Sequence, residues 1–189
     1  MLDHFGILAP LYETFIKPKA PEYIWRLVDL PTSGALLDAG GGTGRVAQFL
    51  RDQADQVVVA DLSCKMLRQA ALKGGLQTTC THTERLPFPD AYFERIIMVD
   101  ALHHVCDQAD TARELWRVLK PGGRLVIEEP DVRKLSIKLL ALAEKLALMR
   151  SNFLSPPEIV SLFDGVDSRT QIKVDAYIAW VIVDKALRP

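Results

Sequence analysis

The sequence has few cysteines, no excess of either charge and no long apolar segment. The three cysteines, Cys64, Cys80 and Cys106, form no CxxC pair, so neither a zinc site of the usual ligand spacing nor a thioredoxin-like motif is indicated. A sparse, odd cysteine count is typical of the reducing cytoplasm. We therefore expect three unpaired, partly buried thiols and a cytoplasmic protein.

The charge balance and the hydropathy exclude two further classes of protein. There are 23 basic and 24 acidic side chains, whereas nucleic-acid binders usually carry a basic excess. The apolar stretch at residues 177–183 is shorter than the about 20 residues of a membrane helix. The N-terminal residues carry Asp3 and Glu13 without a basic segment, so no signal peptide is predicted. We expect neither a nucleic-acid partner nor a membrane span.

The 189 residues, 49% hydrophobic and 25% charged, fit a single globular domain. Short apolar runs alternate with helical patterns through the middle of the chain. This order predicts an α/β fold, a doubly wound, Rossmann-like, mostly parallel sheet with helices on both faces. The predicted strands are 35–38, 56–60, 78–83, 95–99 and 124–128, and the predicted helices between them include 63–73 and 108–119.

Four parts of this domain are expected. An N-terminal helical segment (1–33) precedes an α/β core (34–130), which is followed by a helical segment (131–165) and a C-terminal hairpin (166–189). Within the third part, residues 135–149 carry a stripe of leucines at helical spacing. That helix either covers an acceptor site as a lid or packs on the sheet, and the sequence does not decide between the two.

A glycine-rich loop, DAGGGTG at residues 38–44, lies between the first predicted strand and a helical pattern. Glycines allow a ligand to approach the backbone closely, and free N–H groups at a helix start attract an anion. Residues 42–47 also match the dinucleotide pattern GxGxxA. Asp61 ends the next strand, where a carboxylate accepts both hydroxyls of a ribose. The pair indicates a nucleoside-containing ligand, and the alternatives are a tight turn and a helix cap.

Five segments then occur in a fixed order. They are LLDAGGGTG (36–44), VADLS (59–63), ERLPFPD (84–90), ALHHV (101–105) and RVLKPGG (117–123). This ordered set resembles the class I S-adenosylmethionine-dependent methyltransferases. The likeness is greatest to the methyltransferase type 11 group, which includes the ubiquinone/menaquinone biosynthesis methyltransferases, and it covers about residues 1–130.

The resemblance implies a seven-stranded sheet whose last two strands form a hairpin, with S-adenosyl-L-methionine as the cofactor and no metal. It implies that Asp38 reaches the ammonium group of the cofactor. The glycine loop would wrap the methionine end, through Gly40, Gly41, Gly42 and Gly44. The backbone at Asp100 and Ala101 would face the sulfonium.

The resemblance also implies an adenosine side of the site. Asp61 would hold the ribose, and Leu62 and Met66 would lie against the adenine. The adenine edge would be rimmed by His82, Thr83 and Glu84. The family often has an aspartate and a small residue where this chain has His82 and Thr83, so a carboxylate acceptor for the adenine amino group is missing here.

The predicted function is methyl transfer to a small-molecule acceptor, apolar or quinone-like in character. An oxygen or nitrogen acceptor needs a base, and the candidates are His104, His103 and Tyr12. His104 is preferred, on the expectation of an unperturbed pKa of about 6.5. The alternatives are a nicotinamide-dependent oxidoreductase and a non-catalytic S-adenosylmethionine-binding module. The sequence predicts no oligomeric state.

Overall fold

The computed structural model describes residues 21–135, 137, 138 and 151–187. Within them lie seven strands and four α-helices. The strands are β1 (Thr32–Ala39), β2 (Ala54–Asp61), β3 (Gln77–Cys80), β4 (Phe93–Val99), β5 (Leu119–Pro130), β6 (Ser168–Asp175) and β7 (Ile178–Lys185). The helices are α1 (Pro21–Val28), α2 (Cys64–Leu72), α3 (Gln108–Val118) and α4 (Pro156–Ser161).

The seven strands form one sheet in the order β3-β2-β1-β4-β5-β7-β6. The pairs among β1 to β5 are parallel, and β7 runs antiparallel between β5 and β6. The predicted α/β fold with a C-terminal hairpin is therefore confirmed. The strand order reverses between β1 and β4, and this reversal is where an open parallel sheet places its ligand site.

The apolar runs of the strands reflect burial on both faces of the sheet. Leu37 and Val58 face one hydrophobic cluster, which α3 and α4 cover, while Leu36 and Val57 face a second cluster under α1 and α2. Successive residues of a strand point to opposite faces, so a strand covered on both sides must be apolar at every position.

Two elements differ from the sequence-based predictions. The helical pattern after Gly44 becomes turns and a short 3-10 helix (Ala47–Phe49), with Phe49 42% exposed. Only nine residues separate Gly44 from Ala54, and a helix of that length rises roughly 13 Å against roughly 26 Å for an eight-residue strand. An α-helix there would be too short to carry the chain back along the sheet. The strand predicted at 78–83 is also shorter, because pairing with β2 ends at Cys80.

Some expectations concern residues outside the described ranges. Tyr12 lies outside them, as does most of the predicted helix 135–149, of which the structure describes Leu135, Ile137 and Lys138. Across the described part of the chain, every helix is too short or too polar to cross a membrane.

The expectation of three unpaired thiols is wrong. Cys64 and Cys80 form a disulfide with Cα atoms 5.6 Å apart, and the remaining thiol, Cys106, is exposed. Parallel pairing places Asp61 opposite Cys80, and α2 begins at Cys64, three residues after Asp61. The sequence spacing gives no sign of this proximity, since it depends on how β2 and β3 pair.

Removing this cross-link should destabilise the fold. A disulfide that closes a loop of this size restricts the unfolded chain and contributes about 3 kcal/mol. We expect the Cys64→Ser/Cys80→Ser variant to lose about 2–4 kcal/mol in its free energy of unfolding, measured in urea without reductant. Cys106→Ser is the control and should unfold like the wild type. Equal midpoints for all three proteins would contradict the cross-link.

Candidate functional site

Four carboxylates mark the carboxyl ends of four neighbouring strands. Asp38 lies near the end of β1, Asp61 ends β2, Asp100 follows β4 and Glu129 lies near the end of β5. Register fixes their relative positions, with Asp38 opposite Val59 of β2. The sequence predicted the first three of these residues for the site and missed Glu129. The sequence feature that could have identified Glu129 is a charged residue at the end of an otherwise apolar strand.

Asp38 is a buried carboxylate without a partner. It is 1% exposed, and neither of its oxygens has a hydrogen-bond partner among the described residues. Burial raises the pKa of Asp38 to about 7; the charge of Arg45 opposes this shift, and the charge of Asp61 adds to it. The Ala47 N–H also lowers this pKa, although it lies outside hydrogen-bond geometry. Because an unpaired buried carboxylate is costly, Asp38 is suited to bind a cationic donor.

The glycine loop packs tightly between β1 and the elements around it. Gly40 and Gly42 have φ of +71° and +54°, a region that side chains disfavour. A Cβ atom at Gly40 would lie 2.6 Å from the Cβ of Ala101, and one at Gly42 would lie 2.8 Å from Cε of Met66. Both neighbours were predicted site residues, so the structure brings these four together.

The two other predicted glycines also lie in this loop. Gly41 lies against the carboxylate of Asp38, and Gly44 packs on Ala70 of α2. The Gly40 N–H donates to the Ala60 carbonyl at 2.7 Å. The loop is therefore held by its own packing and by a hydrogen bond to β2.

Asp61 is held by two backbone donors. Its Oδ2 accepts from the Gly42 N–H at 2.9 Å, and its Oδ1 accepts from the Ser63 N–H at 2.7 Å. These two hydrogen bonds fix the carboxylate at the end of β2, beside the glycine loop. Leu62, the next residue, is 59% exposed and available to an aromatic ring.

The predicted adenine rim is largely engaged in contacts within the protein. The hydroxyls of Thr83 and Thr111 form a hydrogen bond at 3.2 Å. Glu84 Oε1 accepts from the N–H groups of Cys106 and Asp107 at 2.8 and 3.2 Å. Both side chains thus tie this loop to the start of α3. The His82 side chain stays exposed, with Nδ1 3.7 Å from Glu84.

Asp100 and Arg45 form an ion pair beside the glycine loop. Arg45 Nη2 lies 3.4 Å from Asp100 Oδ2, and both side chains are largely buried. Burial raises the pKa of Asp100, with the Glu129 charge adding to the shift and Arg45 opposing it. Asp100 also has φ of +51°, which is uncommon outside glycine and often found at functional sites. Arg45 was missed by the sequence analysis, although it directly follows Gly44.

Glu129 forms hydrogen bonds with three consecutive residues. Its Oε1 accepts from the N–H groups of Ala101 and Leu102 at 3.0 and 2.8 Å, and its Oε2 lies 2.5 Å from His103 Nδ1. Glu129 is 4% exposed and His103 is equally buried. His103 therefore packs inside the protein, against a carboxylate.

The expected pKa of His104 is wrong. Burial and the positive charge of His103 lower the pKa of His104 to about 3. Its ring is therefore neutral near pH 7, and its Nδ1 lies 3.3 Å from the Ser151 hydroxyl. A base whose conjugate acid is this strong removes a proton poorly at neutral pH. The structure describes no cluster of three metal-ligating side chains within its ranges.

Comparison with known proteins shows what the chain is similar to. Residues 37–127 match the family described as Methyltransferase domain. The ubiquinone/menaquinone biosynthesis C-methyltransferases UbiE of Vibrio parahaemolyticus and Proteus mirabilis are 39% and 36% identical over 121 residues, which is 56% of this chain. The match covers 47% and 48% of those two proteins, so the chain spans about half the length of these relatives.

Solved structures share the whole fold. A SAM-dependent methyltransferase from Thermotoga maritima aligns with a TM-score of 0.77 at 20% identity, covering 96% of this chain and 97% of that one. Another from Aquifex aeolicus aligns with a TM-score of 0.73 at 18% identity, covering 92% and 97%. At these identities the likeness shows the fold alone.

The family and the fold imply S-adenosyl-L-methionine as the cofactor, and the residues present fit it. Asp38 offers a carboxylate without a hydrogen-bond partner in the described chain, suited to an ammonium group. Asp61 is a carboxylate, the kind of group that binds ribose hydroxyls, and it lies next to a loop too tight for side chains. Residues 37–127 match the methyltransferase domain family, and over 56% of its length the chain is similar in sequence to the ubiquinone/menaquinone biosynthesis C-methyltransferases.

Proposed function

We propose that this protein is an S-adenosylmethionine-dependent methyltransferase that acts on a small molecule, with a carbon of a quinone-type ring as the acceptor. The observation that carries this function is the buried, unpaired carboxylate of Asp38 beside the glycine loop. It offers a cation site one strand away from Asp61, which offers a hydroxyl site. A ligand with an ammonium group and a ribose satisfies both.

The bound cofactor supplies a methyl group already activated by a sulfonium. The residues of the chain bind and orient the two reactants. Asp38 holds the ammonium, Asp61 holds the ribose hydroxyls, and Leu62 and Met66 lie against the adenine. The turn at Asp100 and Ala101, whose backbone is fixed by β5, borders the reacting end. Alignment and exclusion of water are the main contributions expected of such a protein.

The charge state of the histidines favours an acceptor that needs no strong base. His104 is neutral near pH 7 because its pKa is lowered to about 3, and His103 is occupied by Glu129. Once a quinol hydroxyl has ionised to solvent, the ring carbon attacks the methyl group, the carbon–sulfur bond breaks, and the hydrogen on that ring carbon leaves to water as a proton. Neither proton needs a strongly basic side chain. The base roles of His104, His103 and Tyr12 stay predictions, and among them only His103 has a carboxylate within hydrogen-bond distance in the described structure.

The relatives support the acceptor class, because they are C-methyltransferases of ubiquinone and menaquinone biosynthesis. The comparisons do not favour a nicotinamide-dependent oxidoreductase, and the charges argue the same way. A buried carboxylate repels the pyrophosphate that such a cofactor would bring to the glycine loop. The cytoplasmic location stays a prediction, because the Cys64–Cys80 bridge removes the argument from unpaired thiols.

Two measurements test the proposal. Calorimetry should detect binding of S-adenosylhomocysteine and none of NADH. Labelled methyl transfer should then be found with quinols lacking a ring methyl group and not with amines or phenols of similar size. Binding of S-adenosylhomocysteine with no transfer to any acceptor would instead favour a non-catalytic module. Binding of NADH alone would overturn the proposal.

Asp61 should be needed for cofactor binding. If its carboxylate accepts ribose hydroxyls, each charge-assisted hydrogen bond is worth about 1.5–3 kcal/mol. Asp61→Ala should therefore weaken S-adenosylhomocysteine about tenfold or more in calorimetry. Asp55→Ala is a matched control, since Asp55 lies on the same strand at its opposite, exposed end. Equal affinity of the two folded variants for S-adenosylhomocysteine would show that Asp61 does not bind the cofactor.

Asp38 should lower the free energy of unfolding, although it is needed for cofactor binding. The folded pKa of about 7 lies above the unfolded value of about 3.9. Between these pH values the folded state keeps a proton that the unfolded state has lost, so the wild type loses stability as pH rises through this window. Asp38→Asn does not titrate and should be more stable at pH 8, by on the order of 2–4 kcal/mol. At pH 4 this gain should vanish.

The same substitution should weaken the binding of the ligand. Wild-type affinity for S-adenosylhomocysteine should rise by up to about tenfold from pH 6 to pH 8, because Asp38 ionises over that range. Asp38→Asn should bind weakly at both pH values. Asp52→Asn, on the exposed surface, is the control for both the unfolding and the binding measurements. A stability gain without a loss of affinity would show that Asp38 does not contact the ligand.

A further inference from the structure

Glu129 controls the shape of the turn that follows β4. Ala101 and Leu102 both donate their N–H groups to Glu129 Oε1. Ala101 in turn lies against Gly40, where a Cβ atom would be 2.6 Å away. The carboxylate therefore holds this turn, and through it one wall of the glycine loop. Loss of the acceptor would leave two buried N–H groups unsatisfied, which is costly.

His103 connects the same carboxylate to a second segment of the chain. Its Nδ1 lies 2.5 Å from Glu129, and its ring stacks on Phe153 with centroids 4.3 Å apart at 14°. The His103 carbonyl accepts from the Asn152 N–H at 2.8 Å. Residues 151–153, which we name the docking segment, therefore rest on His103.

Two further contacts anchor the docking segment. The Ser151 hydroxyl lies 3.3 Å from Nδ1 of His104, the residue after His103. Gln108 Nε2 donates to the Asn152 carbonyl at 2.7 Å, and Asn152 Nδ2 donates to Gln108 Oε1 at 3.0 Å. Gln108 also donates to the Leu102 carbonyl at 3.0 Å. Both anchors lead back to the turn that Glu129 holds. Movement of that turn must therefore shift the docking segment as well.

We propose that Glu129, acting through His103, is a positioning residue that couples the cofactor-side turn at Asp100–Leu102 to the docking segment. This proposal rests on the proposed function, because that function is what identifies the turn as the side of the site that faces the cofactor. A ligand that orders the turn orders the docking segment too.

A merely structural role predicts something different. A buried ion pair that only stabilises the fold would, when weakened, lower the free energy of unfolding without altering how the ligand affects residue 152. A coupling role predicts that the ligand slows amide exchange at Asn152 and that this effect requires Glu129. The two roles are therefore separated by a ligand-induced change at a residue that has no predicted ligand contact.

The experiment is amide hydrogen exchange by NMR on the full chain, with and without saturating S-adenosylhomocysteine. In the wild type, the ligand should slow exchange at Ala101, Leu102 and Asn152. In Glu129→Gln at saturating ligand, slowing at Asn152 should be lost. Glu94→Gln is the matched control: Glu94 also accepts a backbone N–H, from Ala35, and pairs with Lys120, at the other end of the sheet.

A second variant covers the case in which Glu129→Gln does not fold. His103→Gln keeps a donor toward Glu129 and removes the ring that stacks on Phe153. It should leave ligand-induced slowing at Ala101 and Leu102 intact and reduce it at Asn152, whose N–H keeps the backbone carbonyl of residue 103 as its acceptor. If Asn152 responds to the ligand in both variants as it does in the wild type, or never responds in the wild type, the coupling is refuted.

Failure of the proposed function gives a separate result. If wild-type protein does not bind S-adenosylhomocysteine, the methyltransferase assignment of the site fails. Amide hydrogen exchange measured without ligand then tests the coupling by itself. Faster exchange at Asn152 in Glu129→Gln but not in Glu94→Gln would support it, and unchanged exchange at Asn152 would overturn it.

Discussion

The parallel pairing of β1 with β2 and β4 is the constraint on which the rest of the structure depends. It sets Asp38 opposite Val59 on one side and Ile97 on the other, so the ends of the three strands meet at one edge. A shift of one residue would turn Asp38 to the other face of the sheet and move Leu37 out of its cluster. The hydrophobic core and the polar site are therefore fixed by the same register.

This arrangement sets stability against function at Asp38. A carboxylate buried beside apolar strand residues destabilises the folded state, and the fold tolerates it because burial elsewhere is extensive. Asp100 repeats the pattern on a smaller scale, with an unusual φ and a raised pKa in the same region. Local rules of folding are commonly broken where a protein binds its ligand. The conflict is confined here to the edge between β1 and β4.

The sequence predicted those features that depend on neighbours along the chain. Strand–helix alternation, the glycine loop and Asp61 at a strand end all follow from short spacings. The disulfide and the Glu129–His103 pair were missed, because each joins residues of two separate elements. Sequence spacing alone does not specify how those elements align. The pKa of His104 was mispredicted for a related reason, since burial and the charge of His103 act through tertiary packing. The helix after Gly44 failed because the available chain length overrides local helix propensity.

The two outer strands of the sheet bear on how the protein behaves in concentrated solution. Unpaired strand edges are templates for association with other chains. β3 at one edge is only four residues long and is cross-linked to α2. β6 at the other edge is almost wholly exposed, but it carries Arg169 and Lys173 along its length. Neither edge presents a long, uncharged ladder, so the open sheet is protected at both ends against edge-to-edge aggregation.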